Sequence, residues 1–346
     1  MTKYNPKNER IKKNYYDYLM ESQGRNDKTL NQVRGSIFRF EEYINFKDFS
    51  TFRKEQAVGF KKNLAKQKTK RTDEKMSKST LLHISTNLKQ FFIWLRDQKG
   101  FEKIKLTEIE YFNLKDNEIA TAKAKRFKNY PTLEQIKKVI FSLPANTEIE
   151  KRNQALIAFI ILTGARDSAV ASLKIKHLDI YQKSITQDPN DGVKTKFGKL
   201  IYTKFFPVGD DIKQVVIDWV KYLKEVKLYG DNEPLFPRTK LAHNKDFSFE
   251  VQGLEPIFWK TTTQIRGVFK TSFEKCGLPY FNPHSFRDTL SLIGKKTCTI
   301  EQFQAWSQNL GHSKMSTTLD DYGNISTHRQ FELMGGIKNL NQGGCF

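Results

Sequence analysis

Apolar residues recur at every third or fourth position through the first third of the chain, a spacing typical of amphipathic helices. Between residues 7 and 112 no Gly- or Pro-rich hairpin signal interrupts this pattern. Apolar faces of this kind stabilise helices that pack against one another. The pattern therefore predicts a small helical bundle, a first domain of residues 1–112, with helices over residues 7–21, 27–44, 52–67 and 77–98.

The periodicity is lost over residues 113–130, which carry a run of basic residues before Pro131. We interpret this stretch as a basic interdomain linker. Because proline is favoured at the first position of a helix, Pro131 marks the start of a new element. The second domain is expected to span residues 131–346, with a C-terminal tail.

The second domain alternates helical patterns with one strand-like region at 178–206. The predicted fold class is mainly α with a small antiparallel β-sheet, in two domains. We predict helices at 131–142, 152–163, 168–173, 210–225, 261–276, 284–295, 299–309 and 328–334.

The composition fits packed soluble domains, with 38% hydrophobic and 28% charged residues in 346. No apolar run approaches the roughly 18 residues that a membrane helix needs, and the basic N-terminus precedes no apolar segment. We therefore expect a cytoplasmic, nucleoid-associated protein with no membrane partner. The three cysteines are widely spaced and form no zinc-like pair, so we expect reduced thiols and no metal.

The net charge of +21 favours a polyanionic partner, DNA or RNA, over a lysine-rich organism whose proteins are all basic. Residues 1–130 hold 30 Lys and Arg against 16 Asp and Glu. A charge run is usually a solvated face, but this density makes phosphate contacts at least as plausible. The predicted DNA-binding residues are Lys61, Lys62, Lys66, Lys68, Lys70, Arg71, Lys123, Lys125 and Arg126.

Several polar residues of the second domain occur in settings that packing alone explains poorly. Arg166 follows a Thr-Gly-Ala string at the end of an apolar helix, where a guanidinium needs an anionic partner, either a local carboxylate or a ligand. His284 and Arg287 lie three apart in the first turn of a helix and can face one phosphate. His312 follows Leu-Gly, and Tyr322, ten residues later, has polar neighbours that suggest an exposed ring.

These boxes, in this order, resemble the catalytic domain of the tyrosine recombinases (phage integrases and Xer- or Cre-type enzymes). The family pattern is an arginine after T-G-x, a lysine on a β-hairpin, H-x-x-R, L-G-H and a tyrosine nine or ten residues later. The match covers about residues 131–340, whereas the N-terminal bundle resembles the family's core-binding domain only in size and position. The hairpin offers Lys194, Lys196 and Lys199; the K-T dipeptide favours Lys194, and counting back from Pro207 favours Lys199.

The resemblance implies a site-specific DNA recombinase that joins itself to DNA through a 3′-phosphotyrosine bond. Arg166, Arg287 and His312 would hold the phosphate oxygens, and His284 would assist as donor or base. Tyr322 would be the nucleophile and Lys194 the acid for the leaving oxygen. The implied partners are double-stranded DNA and further copies of the chain, four protomers on two sites, with no cofactor.

Two departures from the family pattern stand out. Ala169 occupies the position where many members have an acidic residue, and Asp288 replaces a common histidine after H-x-x-R. Neither removes a group expected to contact phosphate, so we expect activity to survive. A topoisomerase IB-like relaxing enzyme and a catalytically silent DNA-binding protein remain the competing interpretations, and a helix-turn-helix regulator is a weaker form of the second.

Overall fold

The computed structural model describes residues 4–68, 73–124, 129–243 and 249–312 of the chain. The chain divides into two compact units, residues 1–125 and 126–346. Most of the described residues are helical, with small antiparallel sheets confined to the second unit, which confirms the predicted fold class. Within the described ranges, no helix has the length and apolar character needed to cross a bilayer.

The first unit is a helical bundle whose four long helices lie close to the predicted positions. Their starts follow from capping: Asn26 accepts a hydrogen bond from the backbone of Thr29, and Ser77 accepts one from that of Thr80. The helices are α1 (Pro6–Asp17), α2 (Asp27–Tyr43), α3 (Lys54–Lys66), α4 (Lys78–Arg96), the short α5 (Leu106–Ile109) and α6 (Asp116–Lys123).

Aromatic rings fill the centre of this bundle. Phe40 of α2 packs edge-to-face against Phe60 of α3, Phe92 of α4 and Phe112, with ring centroids 5.3, 5.4 and 5.6 Å away. All four side chains are fully buried. The segment ending at Phe112 therefore completes the core of the bundle.

The stretch expected to be a linker differs from the prediction, because α6 lies inside it. Glu118 of α6 forms a salt bridge with Lys78 at the start of α4, and its carboxylate also accepts from the backbone N–H of Lys115. α6 has no buried residue, so it lacks the apolar periodicity from which a helix is recognised. The division between the units lies within the predicted linker, between residues 125 and 126.

The second unit is built around α8 (Glu148–Thr163), whose residues from Ala155 to Thr163 are all buried. α8 begins four residues before its predicted start, because Thr147 and Glu150 form a capping box. The other helices of this unit are α7 (Leu133–Ser142), α9 (Asp167–Val170), α10 (Asp210–Lys221), α11 (Thr263–Lys275), α12 (Ser285–Thr297) and α13 (Ile300–Asn309).

The strand-like region forms a three-stranded antiparallel sheet in the order β1 (Leu178–Asp179), β2 (Ser184–Gln187) and β3 (Ile201–Lys204). β2 pairs with β3 from Ser184 opposite Lys204 to Gln187 opposite Ile201. The connection between these two strands carries the three candidate lysines. A second, two-stranded sheet of β4 (Arg238–His243) and β5 (Phe249–Glu255) was not predicted, because its residues carry no distinct alternation or turn signal.

Candidate active site

Arg166 is placed by the sharp end of α8. The helix stops at Gly164, whose φ of +58° lies in the left-handed region that favours glycine. A Cβ atom at Gly164 would also come within 2.7 Å of a methyl group of Leu310, so the close approach itself requires glycine. Two residues later, the half-buried Arg166 is the N-cap of α9. The chain reversal thus brings Arg166 to the end of α13.

Arg287 connects the segments that carry the other candidate residues. It lies in the first turn of α12 and is 4% exposed. Its Nη1 donates to the backbone oxygen of Gly164, and its Nη2 donates to that of Leu310 at 2.6 Å. Carbonyl oxygens satisfy these donors without cancelling the positive charge. The buried guanidinium therefore joins the turn after α8 to the end of α13.

The Nη2 atom of Arg287, which donates to Leu310, also lies 2.7 Å from the Nε2 atom of His312. An arginine can only donate, so Nε2 accepts and the ring hydrogen is assigned to Nδ1. Burial lowers the pKa of His312 to about 4, with further lowering by the charges of Arg287, Arg166, His284 and Lys196. His312 is therefore a neutral imidazole at pH 7, with its ring hydrogen on Nδ1.

The charges that lower the pKa of His312 also show which candidate catalytic residues lie near one another. Arg166, His284 and Arg287 all act on His312, although they come from two separate segments of the chain, the N-cap of α9 and the start of α12. The two arginine charges in one partly buried place suit an anionic group with several oxygens, such as a phosphodiester. The structure thus assembles four of the six predicted catalytic residues.

The hairpin lysines occupy different positions. The backbone N–H of Lys194 donates to Ser172 Oγ at 2.8 Å, while its side chain is exposed. Lys196 lowers the pKa of His312 through its charge, and its ammonium also lies 5.0 Å from the ring centroid of Phe197. Lys199 is exposed. The charge of Lys196 therefore reaches His312.

Tyr322, the predicted nucleophile, lies outside the described residues, as does the predicted helix 328–334. The same is true of four predicted DNA-binding residues: Lys70, Arg71, Lys125 and Arg126.

The remaining basic residues proposed for DNA binding divide into two groups. Lys62, Lys66 and Lys123 are exposed. Lys61 is half-buried and donates to the backbone oxygen of Asn113, and burial lowers its pKa. Lys68 forms an ion pair of 2.6 Å with Asp73.

The two departures from the family pattern lie in α9 and α12. Ala169 is 1% exposed in the interior of α9. Asp288 is 6% exposed and contributes, after burial, to raising the pKa of Tyr130. Near Arg166, the carboxylate of Asp167 accepts from Arg266 at 2.8 and 3.0 Å.

Sequence reasoning missed the residues that fix the hairpin beside the site: Ser172, His177 and Asp191. Each is an ordinary polar residue in sequence, and Asp191 is 14 residues from His177. Only the antiparallel pairing of β1, β2 and β3 brings the two segments together.

Comparisons with known proteins agree with this architecture. The chain is 24% identical over 313 residues to tyrosine recombinase XerD of Listeria monocytogenes, spanning 88% of this chain and 90% of the relative. It is 22% identical over 320 residues to a probable integrase/recombinase of Aquifex aeolicus, spanning 89% and 93%. No protein-family model matches the chain.

Solved structures with the same fold include a lambda integrase (residues 75–356) dimer bound to a COC′ core site, with a TM-score of 0.61, 13% identity and coverage of 91% and 95%. Another is the Tn1549 transposon integrase in complex with circular intermediate DNA, with a TM-score of 0.57, 15% identity and coverage of 94% and 98%. The predicted resemblance to tyrosine recombinases is thereby confirmed along nearly the whole chain.

Proposed function

We propose that this chain, which shares the fold and the ordered sequence boxes of the tyrosine recombinases, is a site-specific recombinase that cuts and rejoins DNA through a phosphotyrosine bond. The observation that carries the proposal is that Arg287 donates to the backbone of Gly164, two residues before Arg166, and lies 2.7 Å from His312. The net charge of +21 supports a DNA partner, as do the relatives solved with DNA bound.

In this mechanism, Arg166 and Arg287 hold the non-bridging oxygens of the scissile phosphate. Both stay charged at any working pH, and the transition state places extra negative charge on those oxygens. His312 donates through Nδ1–H, because its Nε2 accepts from Arg287. A neutral donor at this position needs no protonation step before each cycle.

Tyr322 supplies the nucleophile. Its oxygen attacks phosphorus, the bond from phosphorus to the 5′-oxygen breaks, and the phenolic proton leaves through His284. A tyrosine pKa near 10 makes the free phenol a weak nucleophile, so the surrounding cations are needed to stabilise the phenolate. The product is a 3′-phosphotyrosine bond and a free 5′-hydroxyl. Because the bond energy is retained, rejoining needs no nucleotide cofactor.

A hairpin lysine donates the proton to the leaving 5′-oxygen. Lys194 is the choice made from the sequence, but the action of Lys196 on His312 favours Lys196 for this role. Replacing each of Lys194, Lys196 and Lys199 by alanine and measuring single-turnover cleavage ranks the three. The variant with the largest fall in cleavage rate identifies the lysine that acts as the acid.

The deciding experiment is a covalent trapping assay. Wild-type and Tyr322→Phe proteins are incubated, without added metal, with nicked duplex DNA taken from the sequences that flank the gene. We expect an SDS-resistant adduct from the wild type and none from the variant. An adduct from the variant would mean that another residue is the nucleophile. Binding without any adduct would favour a silent DNA-binding protein, and relaxation of supercoiled DNA lacking a paired site would favour a topoisomerase.

We further propose that the active species is an assembly of four protomers on two DNA sites. Crossing over requires two duplexes to be cut and exchanged together, so more than one active site must be held in place. Sizing the complex on synapsed sites by light scattering tests this proposal. A complex of one protomer with one duplex that still completes strand exchange would contradict it.

A further inference from the structure

Asp191 is surrounded by three basic side chains from one short segment that precedes β1. Its Oδ1 lies 2.5 Å from Lys174 Nζ, and its Oδ2 lies 2.8 Å from both Lys176 Nζ and His177 Nε2. The Nδ1 of His177 accepts from the backbone N–H of Lys174 at 3.0 Å, so its Nε2 carries the hydrogen that points at Asp191. Hydrogen bonds from Lys174, Lys176 and His177 hold the pKa of Asp191 far below its usual range. We call these four residues the Asp191 clamp.

The clamp differs from an ordinary surface ion pair in geometry and in burial. Isolated exposed pairs contribute little because long side chains lose entropy and water screens the charges. Here one carboxylate binds three donors at once, and the side chain of His177 is only 5% exposed. The partners are 14 to 17 residues apart in sequence. The clamp therefore fixes the exit of β2 to the entry of β1.

The chain that follows Asp191 is fixed at two more points before the hairpin becomes exposed. Gly192 turns with a φ of +87°, and Val193 is buried in the core at 2% exposure. Next, the backbone N–H of Lys194 donates to Ser172 Oγ. Ser172 is itself hydrogen-bonded to the backbone of α9, with Ala169 O at 3.0 Å. Because Arg166 is the N-cap of α9, the hairpin and the first arginine are held by the same helix.

Beyond these anchors the hairpin is largely exposed. Lys194, Lys196 and Phe197 are exposed, and no strand pairing is present between Gln187 and Ile201. A lysine on a loosely held connection would sample many positions, and a proton donor must lie within hydrogen-bond reach of its target. The anchors thus restrict the positions that the hairpin lysine can take.

We propose that Asp191 is a positioning residue, which holds the start of the β2–β3 connection so that its lysine reaches the leaving 5′-oxygen of DNA. This inference rests on the proposed function. In this proposal Asp191 acts through the hairpin lysine and not on the reacting phosphate. Its role is confined to protonation of the leaving group, and attack by Tyr322 does not depend on it.

This separation of roles gives a direct chemical test. In normal DNA the electron pair of the broken bond goes to the 5′-oxygen, which takes a proton from the lysine. If sulfur replaces that bridging oxygen, the pair leaves on a thiolate, which is stable at neutral pH without a proton. A defect limited to the proton donor therefore disappears on the sulfur substrate, whereas a general structural defect persists on both.

The experiment compares single-turnover adduct formation by wild-type and Asp191→Asn proteins on nicked duplexes with a bridging oxygen or a bridging sulfur. Because general acids contribute about 10²–10⁴-fold, we expect Asp191→Asn to slow the oxygen substrate by at least about 10-fold. The Asp191→Asn variant should cleave the sulfur substrate at the wild-type rate. Ser172→Ala, which leaves the carboxylate intact and removes the acceptor of the Lys194 N–H, should show the same dependence on the substrate.

Asp211→Asn is the matched control, since Asp211 also joins two elements through a lysine, Lys137, at 3.0 Å. It should match the wild type on both substrates. Equal slowing of the two substrates by Asp191→Asn and Ser172→Ala, or no slowing, would overturn the role of the clamp and leave the proposed function intact. Failure of the wild type to form any adduct would overturn the proposed function and this inference together.

Discussion

The side-chain amide of Asn309 forms two hydrogen bonds with the backbone of Lys204. Its Oδ1 accepts from the N–H of Lys204 at 2.7 Å, and its Nδ2 donates to the carbonyl of Lys204 at 2.8 Å. The backbone oxygen of Asn309 also accepts from Thr203 Oγ1 at 3.0 Å. In this way the last residue of α13 binds the edge of β3 as another strand would, three residues before His312.

Replacing Asn309 by alanine should therefore affect the site more than the fold. We expect the free energy of unfolding to fall by about 1–2 kcal/mol, since the freed backbone groups of Lys204 are exposed to water. Single-turnover cleavage should fall by a larger factor than this loss of stability explains, because the segment leading to His312 loses its anchor. Urea unfolding and adduct formation measure the two effects. Asn309→Asp, which keeps the acceptor alone, should be intermediate, and an inert Asn309→Ala variant would contradict the anchoring role.

The lowered pKa of His312 predicts a pH dependence of stability. Folding moves this pKa from 6.5 to about 4, so between these values the unfolded chain binds more protons than the folded protein. Stability is therefore lost as the pH falls through this window. The contribution of His312 to the free energy of unfolding should drop by about 2 kcal/mol between pH 7 and pH 5.

Urea unfolding of wild type and His312→Asn at both pH values gives the loss of unfolding free energy on acidification for each protein. The difference between the two losses is the contribution of His312. The variant should lose less stability on acidification than the wild type. Equal losses would mean that His312 titrates normally in the folded protein.

Arg287 and Arg266 provide a comparison between a buried and an exposed arginine of the same unit. Arg287→Ala removes donors to Gly164, Leu310 and His312 and leaves a buried gap, so we expect a loss of about 3–5 kcal/mol in unfolding free energy. Arg266 is 56% exposed in its pair with Asp167, so Arg266→Ala should cost less than about 1 kcal/mol. Chemical denaturation measures both. Similar losses for the two variants would contradict the central role of Arg287.

The first unit contains a buried ion pair between Lys12 of α1 and Glu41 of α2, 2.5 Å apart. Asn8 donates to the same carboxylate at 3.1 Å, and Glu41 is fully buried. Glu41→Leu alone removes the buried partner of Lys12, whose Nζ still has the half-exposed Glu9 at 2.7 Å, and should destabilise by about 3 kcal/mol. The double variant Lys12→Met with Glu41→Leu should regain most of that loss. A double variant as unstable as the single one would show that the pair contributes more than mutual neutralisation.

The exposed lysines of α3 predict a salt-dependent DNA contact, which rests on the proposed function. Lys62→Gln and Lys66→Gln should each reduce the slope of log binding constant against log salt concentration by about 1. Lys61→Gln is the internal control, because Lys61 donates to Asn113 and is half-buried. Binding of duplex DNA by fluorescence anisotropy at several salt concentrations gives the slopes. Unchanged slopes for Lys62 and Lys66 would place the DNA on another surface.

The sequence alone determined the parts of this protein that depend on local spacing. Helices α2, α4 and α13 follow from apolar periodicity and from Asn, Ser or Thr at the N-cap, because these signals act within a few residues. The order of Arg166, His284, Arg287, His312 and Tyr322 also predicted the fold to which the solved relatives belong.

Only the tertiary structure decided how these residues act on one another. The neutral state of His312 comes from burial and from cations on three other segments, and no local pattern encodes such an environment. The charge of Lys196 acts on His312 only because the hairpin is placed beside it in the fold, after the buried Val193. The Asp191 clamp and the bond between Asn309 and Lys204 join residues that are 14 to 105 positions apart. Such contacts form because packing of the core brings distant segments together. The sequence of a single helix or strand does not predict them.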